Sequence, residues 1–195
     1  MAGFIDEFMK SYGPEVTRQL SSSFKVDQNT VQKLIPTLAP LILSGLKVQK
    51  DTMGGDERVD HILKKYGDAS VLNNINDLIV SKSQAQTVDP NLGGLLGDNG
   101  GFQAAQTLAK SLNIDASTIM KMIPTLAPLL LGALSRKRDT SGAGIKGIGS
   151  LLDADGDGSI LDDVAGYLMK GGSATGTTRG KGILGSLLGG FTRRR

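Results

Sequence analysis

Apolar residues recur at helical spacing along most of the chain. Phe4, Ile5, Phe8 and Met9 lie three and four apart and predict a short amphipathic helix at the start. Gly13-Pro14 interrupts it, with Pro14 suited to the first turn of the next helix, where Val16, Leu20 and Phe24 share a face. Asp27 then stands as the N-cap of a helix carrying Val31, Leu34 and Ile35. Val59 to Tyr66 predicts another helix, and Ser70 a cap for one with Val71, Ile75 and Ile79 inward. Residues 81–101 lose the periodicity and hold Pro90, Gly93, Gly94, Gly97, Gly100 and Gly101, the composition of a linker.

The pattern is then repeated. IPTLAPLILSGL at 35–46 returns as IPTLAPLLLGAL at 123–134, 88 positions later. The match runs backwards at the same offset: Asp27, Thr30 and Lys33 answer to Asp115, Thr118 and Lys121. Ala104, Leu108 and Leu112 take the places of Val16, Leu20 and Phe24. A match at constant offset marks an internal duplication. Pro36 and Pro40 lack a backbone N–H and bias their predecessors away from helical angles. They predict a break followed by a new helix over Thr37–Lys47, apolar on nearly every side and therefore central. Pro124 and Pro128 repeat that break. Arg136, Lys137 and Arg138 follow at the helix C-terminus, where cations complement the helix dipole.

The expected fold is all-α: two tandem helical repeats packed as one multi-helix bundle, with a Gly-rich flexible C-terminal tail. The division is 1–80 for the first repeat, 81–101 for the linker, 102–170 for the second repeat and 171–195 for a Gly/Leu/Arg tail. Composition refines this. Glycine supplies 27 of 195 residues and aromatics only 4%, so Leu, Ile, Val and Ala must build the core. Cysteine is absent, which removes disulfides, thiolate zinc sites and thiol catalysis. His61 is the one histidine, which excludes multi-histidine metal sites; beside Asp60 it reads as an exposed helix residue. The net charge of +3 is too mild for a nucleic-acid surface. Met1 to Lys10 lacks a signal-peptide pattern, and the apolar run Leu126–Leu131 is too short to span a bilayer. A cytoplasmic location is expected.

One stretch carries chemistry. Asp153, Asp155 and Asp157 occupy positions 1, 3 and 5 of a loop with Gly158 at 6, the first half of an EF-hand calcium loop. Ser159 offers its carbonyl at position 7, and Ile160 fills the apolar position 8. Position 12 is Val164 where a bidentate Glu belongs, while Asp162 and Asp163 stand at 10 and 11. A shortened loop closed by Asp162 or Asp163 resembles that of excalibur-type extracellular calcium modules. The expected metal ligands are Asp153, Asp155, Asp157, Ser159, Asp162 and Asp163, with Ca²⁺ as the ion and Mg²⁺ as the alternative. An acidic turn that holds no ion is the competing reading, since Asp and Gly favour turns and helix starts.

The duplication supplies a control. Gly67 to Asn74 aligns with Gly156 to Asp163 once a one-residue gap is allowed. Lys64 and Tyr66 replace Asp153 and Asp155, and Asn73 and Asn74 replace Asp162 and Asp163. The first copy is therefore expected to keep the turn without the acids and to bind no metal.

Other signals are weaker. Leu108 to Ile123 reads as helix, three-residue turn, helix, which is compatible with a DNA-binding helix-turn-helix but common in any α domain. The tail's Leu184-Gly185-Ser186-Leu187-Leu188-Gly189 echoes Leu92-Gly93-Gly94-Leu95-Leu96-Gly97 and ends in three arginines; a membrane surface and self-association are both open to it. No phosphate loop appears, because the glycines near Gly93 lack a following Gly-Lys-Ser/Thr.

The combination of IPTLAPLLLGAL (123–134), LLDADGDGSILDDV (151–164) and the Gly/Leu/Arg tail resembles the YidB-like family of bacterial proteins of unknown function. That resemblance implies an all-helical bundle and carries over no activity and no catalytic residue. The sequence thus points to a non-enzymatic cytoplasmic structural or interaction protein with a calcium-type loop. Its expected partner is a protein or a second copy, and neither a small-molecule substrate nor nucleic acid is expected. A DNA-associated regulator is the alternative.

Overall fold

A computed structural model describes residues 3–141. Among the described residues every regular element is helical: α1 Phe4–Ser11, α2 Gly13–Phe24, α3 Gln28–Met53, α4 Gly55–Tyr66, a 3-10 turn at Ala69–Asn73, α5 Ile75–Ser83, α6 Gly100–Leu112 and α7 Ala116–Ser141. Phe4 and Phe8 of α1 and Val16 and Leu20 of α2 are buried, as their spacing predicts. Asp27 caps α3: its carboxylate accepts from the Thr30 N–H at 2.9 Å.

The duplication is kept residue by residue. α3 and α7 are both 26 residues long, and both their ends stand at the same 88-residue offset. Lys25 and Asn113 end α2 and α6 in the left-handed region, at φ 56° and 52°. The next residue closes the end in the same way twice. Val26 N–H donates to Ser21 C=O at 3.2 Å, and Ile114 N–H to Ala109 C=O at 3.3 Å.

The expected break at the prolines does not occur. Pro36 and Pro40 lie inside continuous α3, and Pro124 and Pro128 inside continuous α7. An interior proline costs a helix about 3 kcal/mol relative to alanine. Full burial of an aliphatic side chain contributes about 1.5–3 kcal/mol. Leu34, Ile35, Leu38, Ile42 and Leu46 are all buried on α3, and together they outweigh two prolines. The threonine after the first proline also adds a bond to the weakened turn: Thr37 Oγ1 donates to Lys33 C=O at 2.9 Å, and Thr125 Oγ1 to Lys121 C=O at 2.8 Å. Packing has overridden local propensity.

The helix expected to be capped by Ser70 is divided. The 3-10 turn comes first, Asp68 is its cap, and α5 begins only at Ile75. Ile75 and Ile79 are buried as expected, whereas Val71 is half-buried.

α3 and α7 form the centre. α2 lies along α3 as α6 lies along α7, and the repeats interlock, because the 3-10 turn and α5 of the first repeat pack on α7 of the second. Close approach depends on one small residue in each long helix. A Cβ on Gly132 would stand 2.8 Å from the Asp68 carbonyl oxygen, and one on Gly45 would stand 2.5 Å from that of Leu95. Leu95 and Leu96 therefore lie directly on α3, with Leu95 buried in the core. Polar ties fix the far end of α7: Lys137 pairs with Glu7 of α1, Arg138 with Asp60 of α4 at 3.1 Å, and Arg136 donates to the Tyr12 hydroxyl at 3.3 Å.

By length and composition Gln28–Met53 and Ala116–Thr140 could each cross a membrane. Within this fold 61% and 67% of their apolar windows are buried by other parts of the protein, which accounts for their composition as core.

Candidate functional site

The predicted metal ligands Asp153, Asp155, Asp157, Ser159, Asp162 and Asp163 lie outside the described residues. Their counterpart in the first repeat is described, and it shows what this element needs in order to fold. α4 ends at Tyr66, the chain turns at Gly67, and the Asp68 carboxylate accepts from the Ser70 N–H at 2.8 Å. That bond holds the Asp68 carboxyl below its ordinary range, with the backbone N–H of Ser70 as the main cause and its hydroxyl as the second. The turn then lays Gly67 against α7, where a Cβ would stand 2.8 Å from the Leu131 carbonyl oxygen.

One carboxylate suffices for all of this. Asp68, the one acid of that turn, corresponds in sequence to Asp157. The counterparts of the other acids have no capping role in the turn. Lys64 pairs with Asp60 one turn back along α4 at 2.6 Å, and Tyr66, Asn73 and Asn74 are exposed. Among the described residues no group of three His, Asp or Glu is placed to hold a metal ion.

The helix-turn-helix candidate is formed by α6 and α7. Its second helix does not end at Pro124 as the sequence suggests but continues to Ser141. Within residues 116–123 of that helix Ile119, Met122 and Ile123 are buried, while Ser117 and Lys121 are exposed and Lys121 is the one cation there.

The fold also creates a cleft of about 440 Å³ between α4, the segment 85–95 and the proline face of α7. Ile62, Leu95, Ala127 and Leu131 line its floor, with the rings of Pro124 and Pro128. Arg58, His61, Lys65 and Lys82 stand on its walls and rim. Gln49, 6% exposed, holds the arginine in place: Arg58 Nε donates to Gln49 Oε1 at 3.0 Å, and Gln49 Nε2 donates to the Gly94 carbonyl at 3.4 Å. The Lys65 ammonium lies 5.1 Å from the centroid of the Tyr66 ring. Asp89 is the carboxylate on the rim, and it accepts from the N–H groups of Asn91 at 2.9 Å and Gly93 at 2.5 Å. None of Arg58, Lys65 and Lys82 is paired with a carboxylate among the described residues.

Residues 48–57, polar and with Gly54-Gly55, have the composition of a loop, but α3 runs on to Met53 and carries Gln49 into this cluster. Its available signal was Gln49, a polar residue three positions beyond Leu46 on the inward side of an apolar helix.

These features define a class: an all-α protein made from a doubled helical unit whose two long helices share one core. The chain belongs to the family of bacterial proteins of unknown function known as DUF937, which it matches over residues 6–137 and again over 95–195. The doubled match accords with the internal repeat. No curated protein and no solved structure matches the chain.

Proposed function

We propose that the protein is a non-enzymatic, cytoplasmic interaction or structural protein: a helical scaffold with one calcium-type site in its second repeat. Asp153, Asp155 and Asp157 supply alternate side-chain ligands, Ser159 its carbonyl, and Asp162 or Asp163 closes the shortened loop. Hard oxygen donors suit Ca²⁺, and Mg²⁺ is the competing ion. The observation that carries this reading is the first-repeat turn, which caps itself with Asp68 alone and does without the other acids. Asp153, Asp155, Asp162 and Asp163 have no acidic counterpart in that turn, and carboxylates crowded on alternate residues repel one another unless a cation joins them.

The partner is a second copy of the chain or another protein, with the Leu/Gly/Arg tail as a second contact region that an anionic membrane surface would also suit. The DNA-associated alternative is the second reading, because Lys121 is the only basic residue in 116–123. Limited proteolysis of the full chain tests the site. Calcium at millimolar concentration slows cleavage within 151–170, a chelator restores it, and D155N combined with D162N abolishes the protection. Cleavage that ignores calcium in the unaltered chain would remove the proposal.

A further inference from the structure

The cleft between α4, residues 85–95 and α7 combines two features that seldom meet on an unused surface. Its floor is apolar, and its wall holds a guanidinium fixed by a buried side chain. Gln49 occupies only the Nε of Arg58, and no described group bonds the two terminal nitrogens. A guanidinium held at Nε presents its outer pair of N–H donors in parallel, the fork that matches a planar carboxylate. Lys65 and Lys82 add positive charge around it, while Asp89 has its carboxylate engaged by two backbone N–H groups. About 440 Å³ falls in the range of ordinary small-ligand pockets.

From this juxtaposition we propose that the cleft binds a medium-chain acyl carboxylate. The carboxylate sits on the fork of Arg58, and the hydrocarbon lies along Ile62, Leu95, Ala127, Leu131 and the two proline rings. Binding alone is proposed: His61, Tyr66 and Thr87 line the cleft, but none is hydrogen-bonded to another or to Asp89 among the described residues. As proposed, binding uses none of the acidic-loop residues and needs no metal ion.

Titration of the full isotope-labelled chain with decanoate, below its micelle concentration and without divalent ions, tests the proposal by NMR. Decanoate should shift the methyl signals of Leu95, Ala127 and Leu131 in a saturable way. Decanol should bind at least tenfold more weakly, and inorganic phosphate should leave those methyls unmoved. R58Q should weaken decanoate at least tenfold with its far-UV circular dichroism unchanged. If R58Q does not fold, R58K serves: it keeps the charge, loses the fork, and should still weaken binding severalfold. Equal binding of decanol and decanoate, unaltered affinity in the Arg58 variant, or shifts confined to other surfaces would each overturn the assignment. A further control replaces Asp153, Asp155, Asp157, Asp162 and Asp163 with Asn. If this alone moves the cleft methyls with no ligand added, the occupant is the chain's own acidic segment and the acyl carboxylate is wrong.

Discussion

Asp27 shows how far single residues could be read. The sequence marks it as a cap, and its carboxylate accepts from both the hydroxyl and the N–H of Thr30. These bonds hold its carboxyl below the ordinary range, the hydroxyl being the larger cause. Because the folded-state value is depressed, the resulting stability is complete above the unfolded-state value and is lost as pH falls through the folded one. D27N keeps a good capping side chain but cannot titrate. In urea denaturation from about pH 6 to about pH 2, its midpoint should therefore fall less steeply than that of the unaltered chain over the acid end. Parallel acid limbs would contradict the cap. Asp68 is less legible, because Ser70 is as good a capping residue by type, and only the folded turn decides which side chain reaches which N–H. Gln49 was hidden because α3 runs on to Met53, past the point where apolar residues stop marking it.

At the scale of elements, spacing foretold which residues face inward but not where helices stop. Ile119, Met122 and Ile123 are buried as their periodicity requires. The prolines were misleading because their local cost is known from sequence while the burial that offsets it comes from α2, α4, α6 and the 3-10 turn. Residues 81–101 carry the glycines of a linker, yet Leu95 is in the core and its carbonyl lies on α3 at Gly45. Glycine can signal either freedom or close approach, and composition does not separate the two. The turn on α7 gives a direct check of such an approach. G132A would place a Cβ 2.8 Å from the Asp68 carbonyl and 3.1 Å from Val71 Cγ2, so the turn must lift. Overpacking of this kind costs about 1–3 kcal/mol, and denaturant unfolding should show a loss of that size. No loss would mean that the turn does not rest on the helix.

For the whole molecule, the duplication was legible wherever both copies are described, from α2 and α3 to α6 and α7, and its geometry only in part. A constant offset of 88 residues appears in the sequence and again in the matched ends of α3 and α7. The sequence did not reveal that the repeats interlock, because an offset says nothing about which copy supplies a neighbour. In the fold, the first repeat's 3-10 turn and α5 pack on the second repeat's long helix. The account of function follows from comparing the copies: one turn manages with a single capping carboxylate, while its partner sequence at 153–163 carries several more. Those extra acids are the basis for assigning a cation to the second repeat alone. Calorimetric titration of the metal-free full chain with calcium measures this directly. The account predicts one ion bound per chain and loss of that binding in D155N combined with D162N. No heat at millimolar calcium, or binding that survives both substitutions, would contradict it.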